Sequence, residues 1–234
     1  MDRKYLLDAA AARSTLAALP AGTRVLEIGG HRSFGYRSVY FDTPELDSFA
    51  GTAHPRRRRF KVRTRHYLGS GESWLEVKTR GPRGLTVKTR RLRSSDAAVD
   101  RAITETLLSR SDQAFVAEVL RQQQVPDIDV TELRPVLGTR YERSPLVLPT
   151  AARCTIDTRV TWQDVLGNVL SRPDLVIVES KTGSTPSPVD RSLWRLGIRP
   201  SRFSKFGSGL AALHPGLPAN RWHPVLADVL APTA

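Results

Sequence analysis

The chain is short of cysteine, aromatic residues, acidic charge and long apolar runs, and each shortage excludes something. Its single cysteine, Cys154, rules out an intramolecular disulfide framework and a cysteine zinc cluster. In the strand-like run Arg153-Cys154-Thr155-Ile156-Asp157 it reads as a buried structural thiol rather than a nucleophile. No apolar stretch approaches the roughly 18 residues that cross a bilayer. The start, Met1 to Asp8, lacks a signal-peptide core because the alanine-rich run behind it is broken by Arg13, so a soluble cytoplasmic protein is expected. His31, His54, His66, His214 and His223 show no metal-ligand spacing. Aromatics are only 7% and form no base-stacking motif, which argues against nucleic acid. Trp74, Trp162, Trp194 and Trp222 read as packing residues.

Acidic charge is outweighed. Thirty-six lysines and arginines stand against 23 acidic residues, for a net charge of +13 and a pI near 10.8. Such a surplus selects an anionic partner: nucleic acid, a membrane surface, a nucleotide or another phosphate polymer. Hydrophobic content of 40% is that of an ordinary globular core, and 234 residues suffice for one sizeable domain or two small ones.

What is present is a repeated charge pattern on strands. Glu76 and Lys78 lie in one β-type run and Glu179 and Lys181 in another. Residues two apart on a strand point the same way, roughly 6 to 7 Å apart, so each Glu shares a face with its Lys. In the run Arg57 to Arg65, alternation puts Arg59, Lys61, Arg63 and Arg65 on one face and Phe60, Val62 and Thr64 on the other. The Arg56–Arg59 end of this run is equally readable as a solvated strand end. Asp157 reads as a structural partner of Arg153.

The rest of the pattern gives a helix at 8–19, strands at 24–28 and 36–42, and a helical turn at 45–50. A basic antiparallel meander follows at 57–67, 73–80 and 85–93, with turns at Gly69-Ser70-Gly71 and Gly81-Pro82-Arg83-Gly84. Two helices are predicted at 95–109 and 111–124, then strands at 132–142, 152–162 and 174–182, a helix from Pro186 to Leu196 and an apolar helix to His214. The division expected is a domain over 1–214 and a loosely attached Pro/Ala-rich tail over 215–234. Seven or more amphipathic strands suggest an α+β fold, an antiparallel β-barrel. Its charged faces either point to solvent or line an interior tunnel, with helices packed outside. Repetition over several strands, with single glutamates embedded, favours the charged interior, because so many cations repel unless an anion compensates them.

In order along the chain, Arg3-Lys4-Tyr5, Ser38-Val39-Tyr40-Phe41-Asp42-Thr43, Arg63-x-Arg65, Glu76-Val77-Lys78, Lys88-x-Arg90, Tyr141-x-Arg143, Arg153-x-Thr155-x-Asp157-Thr158, Val178-Glu179-Ser180-Lys181 and Ser204-Lys205-Phe206 resemble the VTC domain. This is the polyphosphate polymerase branch of the triphosphate tunnel metalloenzymes (CYTH-like superfamily). The resemblance covers about residues 3–213. It implies a tunnel that binds triphosphate with basic side chains and a divalent metal, Mg²⁺ or Mn²⁺, and adds the γ-phosphoryl group of ATP to a polyphosphate chain. Carried over by motif, Lys4, Arg63, Arg65, Lys78, Lys88, Arg143, Arg153, Lys181 and Lys205 become phosphate ligands, with Arg143, Lys181 and Lys205 expected to be catalytic. Glu179 becomes the metal ligand. Arg90 and Glu76 are added from strand geometry, as a phosphate ligand and a second metal ligand. The partners implied are ATP, triphosphate or inorganic polyphosphate; hydrolysis of the same substrates, or binding without catalysis, are the alternatives. Two departures matter. The Glu-x-Glu-x-Lys motif of the hydrolytic branch has no glutamates here at Met1-Asp2-Arg3-Lys4, which weakens the thiamine-triphosphatase and adenylate-cyclase readings. The SPX domain and membrane helices of fungal VTC subunits are also absent, so vacuolar translocation is not expected.

Overall fold

The computed structural model describes residues 2–80, 84–93, 102–125, 128–150 and 152–230. One antiparallel sheet of ten strands organises them. In chain order the elements are β1 (Asp2–Leu7), α1 (Ala9–Ala17), β2 (Arg24–Val25), β3 (Phe34–Asp42), α2 (Asp47–Ala53), β4 (Phe60–Tyr67), β5 (Ser73–Arg80) and β6 (Thr86–Arg93). There follow α3 (Arg110–Gln122), β7 (Arg134–Val147), β8 (Arg153–Asp164), β9 (Val169–Arg172), β10 (Val176–Lys181), α4 (Pro188–Arg195), α5 (Lys205–Leu213) and α6 (His223–Asp228). Helix starts follow the local chemistry. Asp8 caps α1 by accepting from the Ala11 amide at 2.7 Å. Ser109 with Asp112, and Ser187 with Asp190, form reciprocal capping boxes on α3 and α4, satisfying amides that would otherwise lack partners.

The hydrogen-bonded order is β1-β10-β8-β7-β3-β4-β5-β6, with β2 added to β7 and β9 to β8. This corrects the expected barrel: among the described residues β1 and β6 do not pair, and the sheet stays open. Like charge lies near the gap: burial first, and the cationic Lys4 of β1 second, lower the proton affinity of Lys78 on β5. A cavity of about 340 Å³ occupies the opening between the strands.

The two sheet faces divide as strand alternation requires. On the outer face, Val39, Phe41, Phe60, Val62, Leu75 and Val77 pack with Val116, Val119 and Leu120 of α3. Tyr5, Leu7, Cys154, Val176 and Val178 pack with α1 and α4 through Ala12, Val189 and Leu193. The charges of β4, β5, β10 and β1 share the opposite face. That face is not wholly charged, and helices are not confined to the outside. Tyr36, Tyr40, Tyr141 and Ile177 on it pack against Phe49 of α2, Phe206 and Leu210 of α5, and Trp222 and Val225. An open sheet leaves its concave apolar end exposed, and α2, α5 and α6 cover it. Of the segment expected as a loosely attached tail, residues 215–230 are described and packed: Trp222, Val225 and Leu230 are all buried.

Other elements depart more locally. β1 and β9 are additional strands. Residues 102–109 hold a 3-10 turn at Ile103–Glu105 rather than a helix; the remainder of that predicted helix, at 95–101, lies outside the described residues, as does the turn at Gly81-Pro82-Arg83.

Candidate functional site

The charged face converges with the start of α5 on a cavity of about 200 Å³. Nine basic side chains and three carboxylates line it. Two ion clusters form its walls.

The first wall is built by β4, β5 and β6. Their register sets Arg63 opposite Glu76, and Glu76 opposite Arg90. Glu76 is only 1% exposed. Its Oε2 accepts from Arg63 Nε at 2.7 Å and Nη2 at 2.5 Å, and its Oε1 pairs with Lys88 Nζ at 2.5 Å. Arg65 Nε lies 3.9 Å away. Burial alone would raise the Glu76 carboxyl; Arg63, Arg65 and Lys88 outweigh it and hold the group down at about 2. Arg63 also donates to the Tyr40 hydroxyl at 3.2 Å.

The second wall comes from β7, β8, β10 and α5. Arg143 and Asp157 are register partners and form a bidentate pair, Nε to Oδ1 at 2.6 Å and Nη2 to Oδ2 at 2.8 Å. Lys205 donates to the same Oδ2 and lies 4.4 Å from the Tyr141 ring centroid. Burial would raise the wholly buried Asp157, but Lys205 and Arg143 hold it at about 2. Asp157 therefore pairs with Arg143 and Lys205, correcting the expected pairing with Arg153. Lys205 reaches in because Ser204 caps α5 and the Trp162 indole donates to the Lys205 carbonyl at 2.7 Å.

Glu179 differs from both of these acids. Its nearest cations, Arg143 Nη2 and Lys181 Nζ, are each 3.9 Å away. Burial opposes its charge, yet Lys4, Lys181, Arg143 and Lys205 keep the carboxyl below its usual range. It is thus an ionised, largely enclosed carboxylate held by the field of its neighbours rather than by close hydrogen bonds. Lys4 sits directly opposite it across β1 and β10.

Two further lysines, Lys61 and Lys78, line the same cavity. Lys61 donates to Ser204 Oγ at 2.9 Å, and burial followed by the like charges of Lys78, Lys4 and Arg63 pushes its ammonium well below the usual lysine value. Lys78 is likewise depressed, by burial first and Lys4 second.

Of the residues singled out from sequence, Lys4, Arg63, Arg65, Glu76, Lys78, Lys88, Arg143, Glu179, Lys181 and Lys205 all line this cavity. Arg90 and Arg153 do not. Arg90 stacks over the Trp74 ring at 4.4 Å, and Arg153, opposite Lys181, lines an adjoining surface hollow that shares Lys181 at the end of β10. Sequence reading did not assign Lys61, Asp157, Tyr40, Tyr141 or Asp2 to the site. Lys61 shared the alternating face of Arg63; the tyrosines carried no signal separating them from core residues.

A divalent ion, implied by the resemblance, can be tested against these donors. Among the described residues no three His, Cys, Asp or Glu side chains group as a metal nest. Both Glu76 oxygens are already taken by cations, so a metal there would have to displace Arg63 or Lys88. Glu179 fits. A single carboxylate with loosely held oxygens suits an ion whose remaining ligands are phosphate oxygens and water.

The VTC domain model matches residues 1–214. Among solved structures, the chain is similar to the putative adenylyl cyclase HpAC1 from Hippeastrum, described as having a dominant triphosphatase activity, at 17% identity and a TM-score of 0.56. That likeness covers 94% of this chain and 98% of the other. It is also similar to the PH1819 protein of Pyrococcus horikoshii OT3, at 15% identity and a TM-score of 0.45, over 87% of this chain and 91% of that one. At such identities the first likeness speaks to the fold alone. No curated protein matches the chain. The match of one domain model to nearly the entire length identifies this chain as a member of the VTC domain family.

Proposed function

We propose that the protein is a metal-dependent phosphotransferase acting on ATP or another triphosphate and on inorganic polyphosphate, of the polyphosphate polymerase type. One observation carries the reading: a small cavity holds nine cations around one ionised carboxylate, Glu179, that no side chain holds closely. Phosphoryl transfer asks a protein chiefly to position its groups and neutralise charge. Arg63, Arg65 and Arg143 supply forked donors suited to phosphate oxygens, and the lysines supply compact point charges. Glu179 would hold the divalent ion, which when bound supplies charge neutralisation across neighbouring phosphate oxygens.

In the transfer, an anionic terminal oxygen of the acceptor chain attacks the γ-phosphorus of ATP. The bond from that phosphorus to the β–γ bridging oxygen breaks, ADP departs with the electron pair, and the chain lengthens by one phosphoryl group. Arg143, Lys181 and Lys205 face the developing charge. No proton has to be removed from such an acceptor. Attack by water does require a base, and the carboxylates here are poor ones: Glu76 and Asp157 are held at about 2. Hydrolysis is kept as the second reading because the HpAC1 relative in fold is described as a triphosphatase.

Incubation with ATP, a short polyphosphate primer and Mn²⁺ or Mg²⁺ separates these outcomes by product: longer chains and ADP for transfer, orthophosphate for hydrolysis. Glu179→Gln is expected to abolish metal-dependent turnover while metal-free tripolyphosphate binding survives. Full turnover in that variant removes Glu179 as the metal ligand. Neither product, together with no tripolyphosphate binding, ends the reading altogether.

A further inference from the structure

The 340 Å³ cavity in the sheet opening is continuous with the central one, sharing Asp2, Lys4, Lys61, Lys78 and Ser204. Its outer rim is a quartet of arginines from four separate parts of the chain. Arg59 precedes β4, Arg80 ends β5, Arg202 lies in the loop between α4 and α5, and Arg221 stands in the 3-10 turn Asn220–Trp222. Among the described residues none of the four is in an ion pair. Arg59 donates to the Arg56 carbonyl at 2.9 Å. Burial and then Arg80 and Arg221 lower the Arg59 proton affinity; burial and then Arg202 and Arg80 do the same to Arg221.

Arg221 is not there by accident of a floppy end. The neighbouring Trp222 is buried, with its ring 5.6 Å from that of Phe49, so the turn carrying Arg221 is anchored in the core. Residue 221 also lies beyond the span matched by the domain model, which ends at 214. A fixed set of like charges without counterions is unfavourable to folding unless an anion offsets it.

We propose that this rim is a second phosphate-binding site, completed by Arg221 from the segment after the VTC domain, which holds the phosphoryl groups of a polyphosphate chain that extend past the central cavity. The inference rests on the triphosphate reading of the central cavity. It assigns the C-terminal segment a role in selecting long chains over short ones. The chain passes between the two cavities beside Lys61 and Lys78, and the rim adds contacts that a triphosphate is too short to reach.

The test compares tripolyphosphate with long-chain polyphosphate by calorimetry, at one ionic strength, in the full chain and in Arg202→Ala/Arg221→Ala. Arg202 is exposed and Arg221 half-buried, neither is in an ion pair among the described residues, and tripolyphosphate binding doubles as the check on folding. Tripolyphosphate affinity is expected to stay within about twofold while long-chain affinity falls by about tenfold or more, as the loss of charge-assisted hydrogen bonds dictates. An equal loss for both lengths, or none for the long chain, overturns the proposal. Pyrophosphate is then added to protein saturated with tripolyphosphate. If it binds at the rim while the double variant keeps full long-chain affinity, the rim holds a separate small anion and the proposal also falls. Absence of tripolyphosphate binding in the unaltered protein is a different failure, that of the functional reading beneath it.

Discussion

Glu76 and Glu179 began as twins in the sequence, each two residues before a lysine on a strand, and the structure gives them unlike work. Alternation was enough to place both on the charged face. It could not show that register sets Arg63 opposite Glu76 while Glu179 faces Lys4 and keeps its oxygens 3.9 Å from the nearest cations. Nor could it find the partners of Asp157, which arrive from β7 and from α5, 48 residues away in sequence. Glu76→Gln is expected to cost about 3 kcal/mol in urea unfolding, because it leaves Arg63 partly buried without its anion. The sign of its pH dependence follows. A carboxyl held at about 2, below its usual 4.5, stabilises the fold fully above about pH 4.5 and loses that effect as pH falls towards 2. Asp157 acts in the same window. The unaltered protein should therefore lose stability over that range, and Glu76→Gln less steeply; parallel curves would show that Glu76 is not held down by its cations. Lys61 makes the opposite kind of prediction. Burial and its cationic neighbours depress it, and a bound polyanion restores its charge. Tripolyphosphate binding should then take up protons at pH values below the usual lysine range, seen as a dependence of binding enthalpy on buffer ionisation enthalpy, and Lys61→Met should reduce that uptake.

Among the elements, the strands carrying Arg63, Glu76, Lys88, Asp157 and Glu179 were legible from alternation and turn chemistry, within a few residues at their ends, whereas the strand expected at 132–142 stops short of Arg143 and of the end of β7 at Val147. β1 was not read as a strand, since Arg3-Lys4-Tyr5-Leu6-Leu7 mixes charge and apolar residues over too short a run. Its partner β10 supplies the missing information, and only in three dimensions. The placing of α5 was also illegible. It was legible only as an apolar helix ending at His214, and nothing in it said that it would lie on the concave, charged side. Two glycines allow this. A Cβ on Gly209 would collide with the Trp162 ring, and one on Gly207 with Trp222, so α5 approaches the sheet closer than any other residue would permit. Gly209→Ala should destabilise the protein by about 1–3 kcal/mol, the range for overpacking. It should also weaken tripolyphosphate binding, because moving α5 withdraws Lys205 from Asp157. Gly183→Ala, where an added Cβ meets nothing within 4 Å, is the control and should change neither. A Gly209→Ala variant that loses stability but binds normally would show that Lys205 is positioned independently of α5 packing.

For the molecule as a whole, a net charge of +13 and an open sheet are two sides of one electrostatic problem. Closing β1 onto β6 would bring Lys4, Lys61 and Lys78 still closer, and burying cations together is costly without a counter-charge. A polyanion lying in the opening supplies that charge to both walls and to the rim at once. Binding to the folded state alone shifts unfolding by mass action, about 2.7 kcal/mol when ligand is at 100 times its dissociation constant. For a chain of this size each kcal/mol moves the midpoint by about 2–4 °C, so saturating tripolyphosphate should raise the melting temperature by roughly 5–10 °C. Charge alone would let any small polyanion do this. Forked arginines at fixed positions should instead prefer phosphate oxygens, and citrate at the same concentration and ionic strength should give a much smaller shift. Raising the salt should shrink the tripolyphosphate effect without erasing it, since enclosed charges are screened less than exposed ones. Equal shifts from citrate and tripolyphosphate, both vanishing in salt, would mean that the surface charge binds anions diffusely and that the cavity adds nothing of its own.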